Sequence, residues 1–562
     1  MNRRAHYVVV VGMGLLILAT GVRWVRSEPT HEMLREYVER IQAFDTVTIE
    51  GERIASVVVL PRLYEQENFR LLWTSPATVA QLLQAIQAIE QDGLDRHDYH
   101  WHALRHLRAQ LEVSATPEVA PLVHFDLLLT DALIRLGYHL LFGKADPEAL
   151  DANWNLTRDL GDLDPVQMIQ RALQDDAVPR LIAELRPKHV YYTRLQAALA
   201  QYRDIDAQGG WKPVSAGPPL KLGMADARVL ALRERLIATG DLTEGSSQPT
   251  VFDASAAEAV KRFQRRHGLE IDGAAGRNTL EALNVPVAAR IDQIRVNLER
   301  ARWVLHEIAG QFVVVDVAGF RALYVRDDEV VWTARAQVGR PYRETPVFKS
   351  AITYLVLNPT WTVPPGILTQ DVLPAVRRDR SYLRKRNLHV IDAGGKRLDP
   401  SKLDWSKYTG GNFPYQLRQD PGPANALGRI KFMFPNPHLV YLHDTPSKEL
   451  FDKPERVFSS GCIRIENPLE LAELLLNDPE RWSREQIARA IDTHVTRTVF
   501  LETPVPVLLL YWTVDVSREG VIMFRKDIYD RDQAVLEALN GEFRFRKRPL
   551  LPVPTSYETS AR

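Results

Sequence analysis

The two residues best suited to catalysis are Cys462 and His443. Cys462 is the only cysteine among 562 residues and lies in the turn Phe458-Ser459-Ser460-Gly461-Cys462-Ile463-Arg464. Small residues before the thiol let backbone N–H groups approach the carbonyl that the sulfur would attack, as in a nucleophilic cysteine. His443 follows the apolar run 439–442, which predicts a buried strand, and a strand end is a rigid mount for a base. A thiol packed as a small apolar group is the alternative.

The neighbours of this pair are further candidates for the site. A thiol with the ordinary pKa of about 8.5 is mostly protonated at neutral pH, so Cys462 needs a base or a cation nearby. Strand alternation places Tyr441 on the face of His443, where it either lines the pocket or packs in the core. Backbone N–H groups at Gly461 and Cys462 predict an oxyanion hole. Arg464 either binds a substrate carboxylate or braces the loop.

Three longer motifs accompany the pair. They are Asn358-Pro-Thr-Trp361-Thr-Val-Pro364-Pro, Gln419-Asp-Pro-Gly422-Pro-Ala-Asn425-Ala-Leu-Gly428-Arg-Ile-Lys431-Phe and Tyr441-Leu-His443-Asp444-Thr-Pro446. With Ser-x-Gly-Cys-Ile-Arg around Cys462, they resemble the YkuD-type L,D-transpeptidase domain. The resemblance is to the large, scaffold-bearing (YcbB-like) Gram-negative members of that family.

The resemblance implies a reaction on peptidoglycan stem peptides. Cys462 would form an acyl-enzyme with a tetrapeptide stem and release D-alanine, with His443 as general base and acid. Transfer to the diaminopimelate side chain of another stem gives a 3–3 cross-link, whereas water gives L,D-carboxypeptidase activity and a free D-amino acid gives exchange. Carbapenem β-lactams would acylate Cys462. No cofactor and no metal are implied.

Several residue roles stay open. Many family members carry histidine at the position of Ser460, so that role does not transfer, and Ser460 is expected to donate a hydrogen bond instead. Trp361 and Asn358 are pocket candidates, with core packing and turn chemistry as their respective alternatives. Asp444 follows His443, but adjacent strand residues point to opposite faces, so Asp444 is not expected to be catalytic.

The chain is long enough for three or four domains. Arg3 and Arg4 precede the apolar run 7–22, which indicates an inner-membrane anchor or a signal segment and therefore a periplasmic enzyme. The fold class is α+β and multidomain. The predicted divisions are an anchor or signal segment (1–26), a helical scaffold (27–212), a three-helix peptidoglycan-binding-like module (213–288), a connecting helix (289–310), a mainly antiparallel β catalytic domain (311–503) and a tail that packs on the body (504–562).

Local patterns support these divisions. The apolar run 122–142 predicts a central buried helix of the scaffold, and Ser255 with Glu258 predicts a capping box in the module. Asp327-Asp328 predicts a hairpin turn at the start of the β domain. The polar insertion of about 366–422 corresponds, by the resemblance, to a lid over the active site.

Composition narrows the partners and the competing functions. Lys and Arg together number 71, as do Asp and Glu, so nothing in the overall charge indicates nucleic-acid binding. Stem peptides, glycan strands, the inner membrane and other cell-wall synthases are the expected partners. The histidines show no metal-ligand spacing. A papain-like protease places its cysteine before its histidine, the reverse of this chain. A non-catalytic cell-wall scaffold is the remaining alternative.

Overall fold

The structure is a computed structural model that describes residues 28–543, except 45, 115, 157–158, 244–246, 307 and 309. The predicted anchor or signal segment (1–26) and residues 544–562 of the predicted tail lie outside the described residues. Among the helices of residues 28–543, gaps aside, none is both long and apolar enough to cross a membrane.

The N-terminal region is helical, as its apolar spacing predicts. The helix α5 forms its centre, and most of its residues from Asp126 to Phe142 are buried. Capping defines other helix starts, since Ser75 accepts a hydrogen bond from Thr78 N–H at the start of α3. The elements are α1 (Glu28–Ala43), β1 (Val47–Ile49), β2 (Glu52–Ile54), α2 (Val59–Gln66), α3 (Pro76–Ala88), α4 (Trp101–Val113), α5 (Val119–Phe142), α6 (Pro147–Leu150), α7 (Pro165–Gln174), α8 (Val178–Leu185) and α9 (Val190–Ala207).

A small three-helix module follows, formed by α10 (Arg228–Ala238), α11 (Ala254–Arg266) and α12 (Arg277–Leu283) around its own apolar core. The predicted capping box at Ser255 is wrong. Asp253 is the N-cap of α11, and its carboxylate accepts a hydrogen bond from Ala256 N–H. Glu258 instead forms an ion pair with Lys261 at 2.8 Å. Since the cap lies two residues earlier, the helix begins at Ala254.

The helix α13 (Val287–Val304) connects the module to the β domain and is buried along its second half. Its polar side chains are paired inside the protein. Asn297 Nδ2 donates to Thr513 Oγ1 at 2.8 Å, and the guanidinium of Arg302 forms an ion pair with Glu299 at 2.5 Å. A buried charge is costly unless it is paired in this way, so these contacts explain how a charged helix lies in the interior.

The β domain is a sheet that closes on itself because the long strand β5 pairs with both β4 and β14. Around the ring the order is β5, β14, β12, β11, β6, β15, β3 and β4, while β13 pairs with the end of β5. Most neighbours are antiparallel, as predicted, although β12 with β14, β3 with β15 and β5 with β13 are parallel. The strands are β3 (Phe312–Asp316), β4 (Arg321–Arg326), β5 (Glu329–Gly339), β6 (Phe348–Leu357), β11 (Ile430–Met433), β12 (Leu442–His443), β13 (Val457–Ser459), β14 (Ile463–Ile465) and β15 (Arg497–Leu510), with β7 to β10 in the insertion described next.

The turn between β4 and β5 confirms the predicted hairpin. Asp327 and Asp328 have φ angles of 52° and 61°, and positive φ at both central residues is typical of hairpin turns whose twist matches that of the strands. Helices α17 (Pro468–Leu476), α18 (Pro479–Trp482) and α19 (Arg484–Asp492) pack beside the ring.

The predicted lid is a subdomain with its own apolar core and its own four-stranded sheet. That sheet includes β7, so the subdomain begins at Trp361 rather than at residue 366. Its elements are β7 (Trp361–Thr362), α14 (Pro365–Ile367), a π-helical turn (Leu368–Val372), α15 (Leu373–Arg378), α16 (Tyr382–Lys385), β8 (His389–Ile391), β9 (Arg397–Leu398) and β10 (Gln416–Gln419).

The described part of the C-terminal region packs on the body. The strand β15 continues to Leu510 within the closed sheet, so the sheet extends past the predicted boundary at residue 503. The remaining elements are β16 (Val514–Val516), β17 (Ile522–Phe524) and α20 (Asp532–Asn540). Val514, Phe524 and Leu539 are buried in the same core as the N-terminal helices.

Candidate active site

The parallel pair of β12 and β14 brings the two predicted catalytic residues together. Leu442 pairs with Ile463 and His443 with Arg464, which places Tyr441 beside Cys462. Leu442 and Ile463 are buried in the domain core. Because side chains alternate along a strand, the residues on either side of this apolar pair face the opposite way, on one shared surface.

Cys462 is partly exposed, and its Sγ lies 3.9 Å from the carbonyl oxygen of Leu439. Burial of the sulfur raises the pKa of the thiol above its ordinary value, while hydrogen bonds from Tyr441 and the charges of Lys431 and Arg464 act in the opposite direction. The net effect keeps the thiol protonated at neutral pH in the resting protein. Tyr441 therefore lies against the sulfur, as the strand alternation predicts.

His443 is 3% exposed, and its Nδ1 lies 2.5 Å from the backbone oxygen of Asp444. Donation from Nδ1–H to that carbonyl leaves Nε2 as the nitrogen that accepts a proton. Burial and the charges of Arg464 and Lys431 lower the pKa of His443 to about 3. The imidazole is therefore neutral at physiological pH. Within the described residues, no hydrogen bond joins it directly to the Cys462 thiol.

Asp444 lies on the other side of the strand from His443, as the alternation of side chains predicts. Its carboxylate is 3% exposed and accepts hydrogen bonds from Lys448 Nζ and, at 2.9 Å, from Arg429 N–H. Gly428 lies against the same carboxylate, with too little space for a Cβ atom. The side chain of Asp444 therefore fixes the strand end that carries His443.

Lys431 is a member of the site that the sequence reasoning did not select. It pairs directly with His443 across β11 and β12, and its Nζ lies 3.7 Å from the ring centroid of Tyr441. Burial lowers the pKa of Lys431, whereas the neighbouring Cys462 raises it. The signal was available in the pattern, because Ile430 and Phe432 are apolar and alternation turns Lys431 toward the opposite face.

The family models cover most of this architecture. Residues 59–199 match the model of a scaffold domain, residues 225–283 that of a putative peptidoglycan binding domain, and residues 310–507 that of an L,D-transpeptidase catalytic domain (YkuD). The chain therefore combines a YkuD L,D-transpeptidase catalytic domain with a scaffold domain and a putative peptidoglycan binding domain, which is the YcbB-like architecture. The resemblance given by the sequence motifs is thereby confirmed, together with the α+β multidomain fold class.

One curated relative and two solved structures are similar to this chain. A Haemophilus influenzae protein named putative L,D-transpeptidase is 32% identical over 243 residues, or 43% of this chain and 48% of the relative. The match thus spans about half the relative's length. The L,D-transpeptidase (residues 123–326) of Xylanimonas cellulosilytica is 16% identical and that of Stackebrandtia nassauensis 14%, with TM-scores of 0.17 and 0.21. They match 53% of this chain, and 100% and 97% of their own chains, respectively.

The loop before Cys462 is held by its own hydrogen bonds. Gly461 has a φ of 110°, where other residues are strained. Its N–H donates to Ser459 Oγ at 3.1 Å, and Ser459 Oγ donates to the Cys462 carbonyl at 2.5 Å. The Gly461 N–H is therefore engaged within the loop and is not directed at a substrate, unlike the prediction of an oxyanion donor. Ser460 Oγ accepts a hydrogen bond from Arg343 Nη1 at 2.9 Å, and the expected donation stays a prediction.

Arg464 faces the catalytic surface without a carboxylate partner among the described residues. Its Nη1 donates to Gln337 Oε1 at 3.2 Å, and its buried Nε has no partner there. Burial lowers the pKa of Arg464, and nearby Cys462 acts in the opposite direction. A cation with spare donors beside the nucleophile suits a substrate carboxylate, and the bond to Gln337 also fits a bracing role.

Trp361 and Asn358 take different places. Trp361 packs against the apolar core of the inserted subdomain, so its side chain belongs to that core. Asn358 is 2% exposed, and its Nδ2 is directed at the carbonyls of Ala490, Ile491 and Val495 at 2.9 to 3.3 Å. These contacts hold the end of α19 to β6, so they support a structural rather than a substrate-binding role for Asn358.

The described residues contain no group of three or more His, Cys, Asp or Glu side chains that could hold a metal ion. The charged groups nearest the thiol are cations instead, namely Lys431 and Arg464. A cationic surface beside a nucleophile can bind an anionic substrate and lower the free energy of a thiolate.

Proposed function

We propose that this chain is a peptidoglycan L,D-transpeptidase that forms 3–3 cross-links through an acyl-enzyme on Cys462. The observation that carries the proposal is the shared face of Tyr441, His443, Cys462 and Arg464 on two paired strands of a YkuD domain. The substrate is a tetrapeptide stem that ends in D-alanine. Its carboxylates suit a surface whose charged side chains are cations.

Substrate binding would activate the resting pair. In the free protein the thiol pKa is raised and the pKa of His443 is about 3, so both groups are neutral. Two cations disfavour a third positive charge on the imidazole. A substrate carboxylate at Arg464 would offset one of them and raise the pKa of His443. Proton transfer from the thiol would then become easier once the stem peptide is in place.

The proposed reaction has two stages. His443 Nε2 takes the thiol proton while Cys462 Sγ attacks the carbonyl carbon of residue three of the stem. The resulting oxyanion accepts a hydrogen bond from the backbone N–H of Cys462. The tetrahedral intermediate collapses, the C–N bond breaks, and His443 returns its proton to the departing D-alanine amine. The amine of a second stem then attacks the thioester carbonyl and passes a proton to His443. The C–S bond breaks, and His443 returns that proton to the Cys462 sulfur.

The other domains suit an enzyme that acts on the intact cell wall. The peptidoglycan-binding-like module of residues 225–283 would hold glycan strands near the catalytic domain. The enzyme would act in the periplasm, held at the inner membrane by residues of about 7–25 and near other cell-wall synthases. Binding of the purified chain to insoluble peptidoglycan sacculi measures the first of these expectations.

Mass spectrometry of tetrapeptide muropeptides incubated with the purified full chain tests the activity, with Cys462→Ala as the control. Dimers formed with loss of D-alanine, and absent with the variant, are the expected result. Tripeptide monomers alone would make the protein an L,D-carboxypeptidase, and incorporation of an added D-amino acid would indicate exchange. A carbapenem adduct should form on the wild-type chain and not on Cys462→Ser. The absence of both turnover and a carbapenem adduct would favour the alternative of a non-catalytic scaffold.

A further inference from the structure

The side chain of Arg343 joins the lid to the catalytic loop. Its Nη1 donates to Ser460 Oγ at 2.9 Å and to Asp371 Oδ2 at 2.6 Å. Its Nε and Nη2 both donate to Gln370 Oε1, at 3.1 and 2.6 Å. The side chain is only 13% exposed. One guanidinium thus contacts two residues of the lid and the second residue before Cys462.

The segment that carries Arg343 also holds the backbone of the catalytic loop. Arg340 N–H donates to the Ser459 carbonyl at 3.2 Å, and Thr345 Oγ1 donates to the Gly461 carbonyl at 2.8 Å. Gly339 N–H in turn donates to Thr345 Oγ1 at 2.9 Å. Residues 339–345, which we call the clasp, therefore fix the loop on both sides of Ser460.

On the lid side, both acceptors lie in one unusual turn. Gln370 and Asp371 belong to the π-helical turn Leu368–Val372, whose end residues are buried in the lid core. π-Helical turns are rare and are frequent at functional sites. In this turn the successive side chains of Gln370 and Asp371 both lie within hydrogen-bond distance of the planar guanidinium of Arg343. A lysine has no such fork of donors.

We propose that Arg343 is a positioning residue that locks the lid onto the catalytic loop, so that lid closure and the placement of Cys462 are set together. The inference rests on the proposed function, because it concerns the loop that would carry the nucleophile. Loss of a charge-assisted hydrogen bond in such a position typically costs about tenfold in rate.

Hydrogen–deuterium exchange of lid residues 366–378 measures closure in the full chain. Arg343→Ala and Asp371→Asn should each raise exchange there by about threefold or more, and Ser460→Ala should not. Asp371 is 43% exposed, so its substitution should not unfold the protein. Asp379→Asn is the matched control, because Asp379 pairs with Lys385 inside the lid at 2.9 Å and does not contact the clasp. Unchanged lid exchange in both Arg343→Ala and Asp371→Asn would overturn the proposal.

Kinetics separate positioning from simple stability. Arg343→Ala should lower kcat for muropeptide dimer formation about tenfold, with a smaller change in KM, because the loop geometry acts on the transition state. Arg343→Lys should restore only part of the rate. Asp371→Asn should have little further effect in the Arg343→Ala background, whereas additive effects would contradict a shared lock. If the wild-type chain shows no turnover, the proposed function fails while the exchange experiment still decides whether Arg343 holds the lid.

Discussion

Lys431→Met should make Cys462 a weaker nucleophile by raising the pKa of its thiol. Lys431 lies beside Tyr441 and pairs with His443, and its charge lowers the pKa of the thiol. For two unit charges about 6 Å apart in a medium with an effective dielectric constant of about 20, Coulomb's law gives about 3 kcal/mol. Because Lys431 is only half-buried, solvent screening reduces this to a little over 1 kcal/mol, or about tenfold in the fraction of thiolate.

The chain offers a direct assay, since Cys462 is its only cysteine. Only the thiolate reacts with iodoacetamide, so the alkylation rate rises with pH and reaches half its plateau at the thiol pKa. Below that pKa, Lys431→Met should react about tenfold more slowly than the wild type, with a similar plateau at high pH. The midpoint should move to higher pH, because the thiolate is less stable without the neighbouring cation.

Two control variants sharpen the result. Lys431→Arg keeps the charge and should leave the midpoint nearly unchanged. Lys349→Met removes an exposed lysine of β6 and should leave it unchanged as well. If the profile of Lys431→Met coincides with that of the wild type, the reasoning that Lys431 acts on the thiol through its charge is refuted.

Two further substitutions test how the catalytic loop is held. Gly461→Ala places a side chain at a φ of 110° and should lower turnover about 100-fold or more by moving Cys462. Gly366→Ala, which adds a Cβ in open space, is the control and should leave turnover nearly unchanged. Tyr529→Phe removes the hydroxyl that donates to the Gly339 carbonyl at 2.6 Å and accepts from Thr345 N–H at 3.2 Å. It should lower turnover about tenfold by loosening the clasp, and unchanged kinetics of muropeptide dimer formation would contradict this role.

The sequence was informative where a feature depends on local pattern. The buried helix α5, the hairpin turn at Asp327 and Asp328, and the position of Tyr441 and His443 on one face all follow from spacing along the chain. Leu439 departs from its predicted strand. It has a φ of 56° and is 73% exposed, because the chain turns there and directs its carbonyl toward Cys462.

The features that were missed depend on pairing between distant segments. Lys431 matters because β11 lies beside β12, and Arg343 matters because the lid turn and the catalytic loop meet at its side chain. Neither segment carries a local pattern that specifies its neighbour. Asn358 is the opposite case, because a local motif made it a candidate for the substrate pocket. In the structure its side-chain amide instead holds the end of α19.

The two-sided burial of β3 and β15 explains why the catalytic domain is built into a large scaffold. Val313, Val507 and Leu509 face the core of the closed sheet, whereas alternate residues such as Val314 and Leu508 lie in the core of the N-terminal helices. A strand with both faces covered needs apolar residues throughout. Without the scaffold, one face of the catalytic sheet would expose these side chains to water. The scaffold is therefore part of the structure that supports the closed sheet of the catalytic domain.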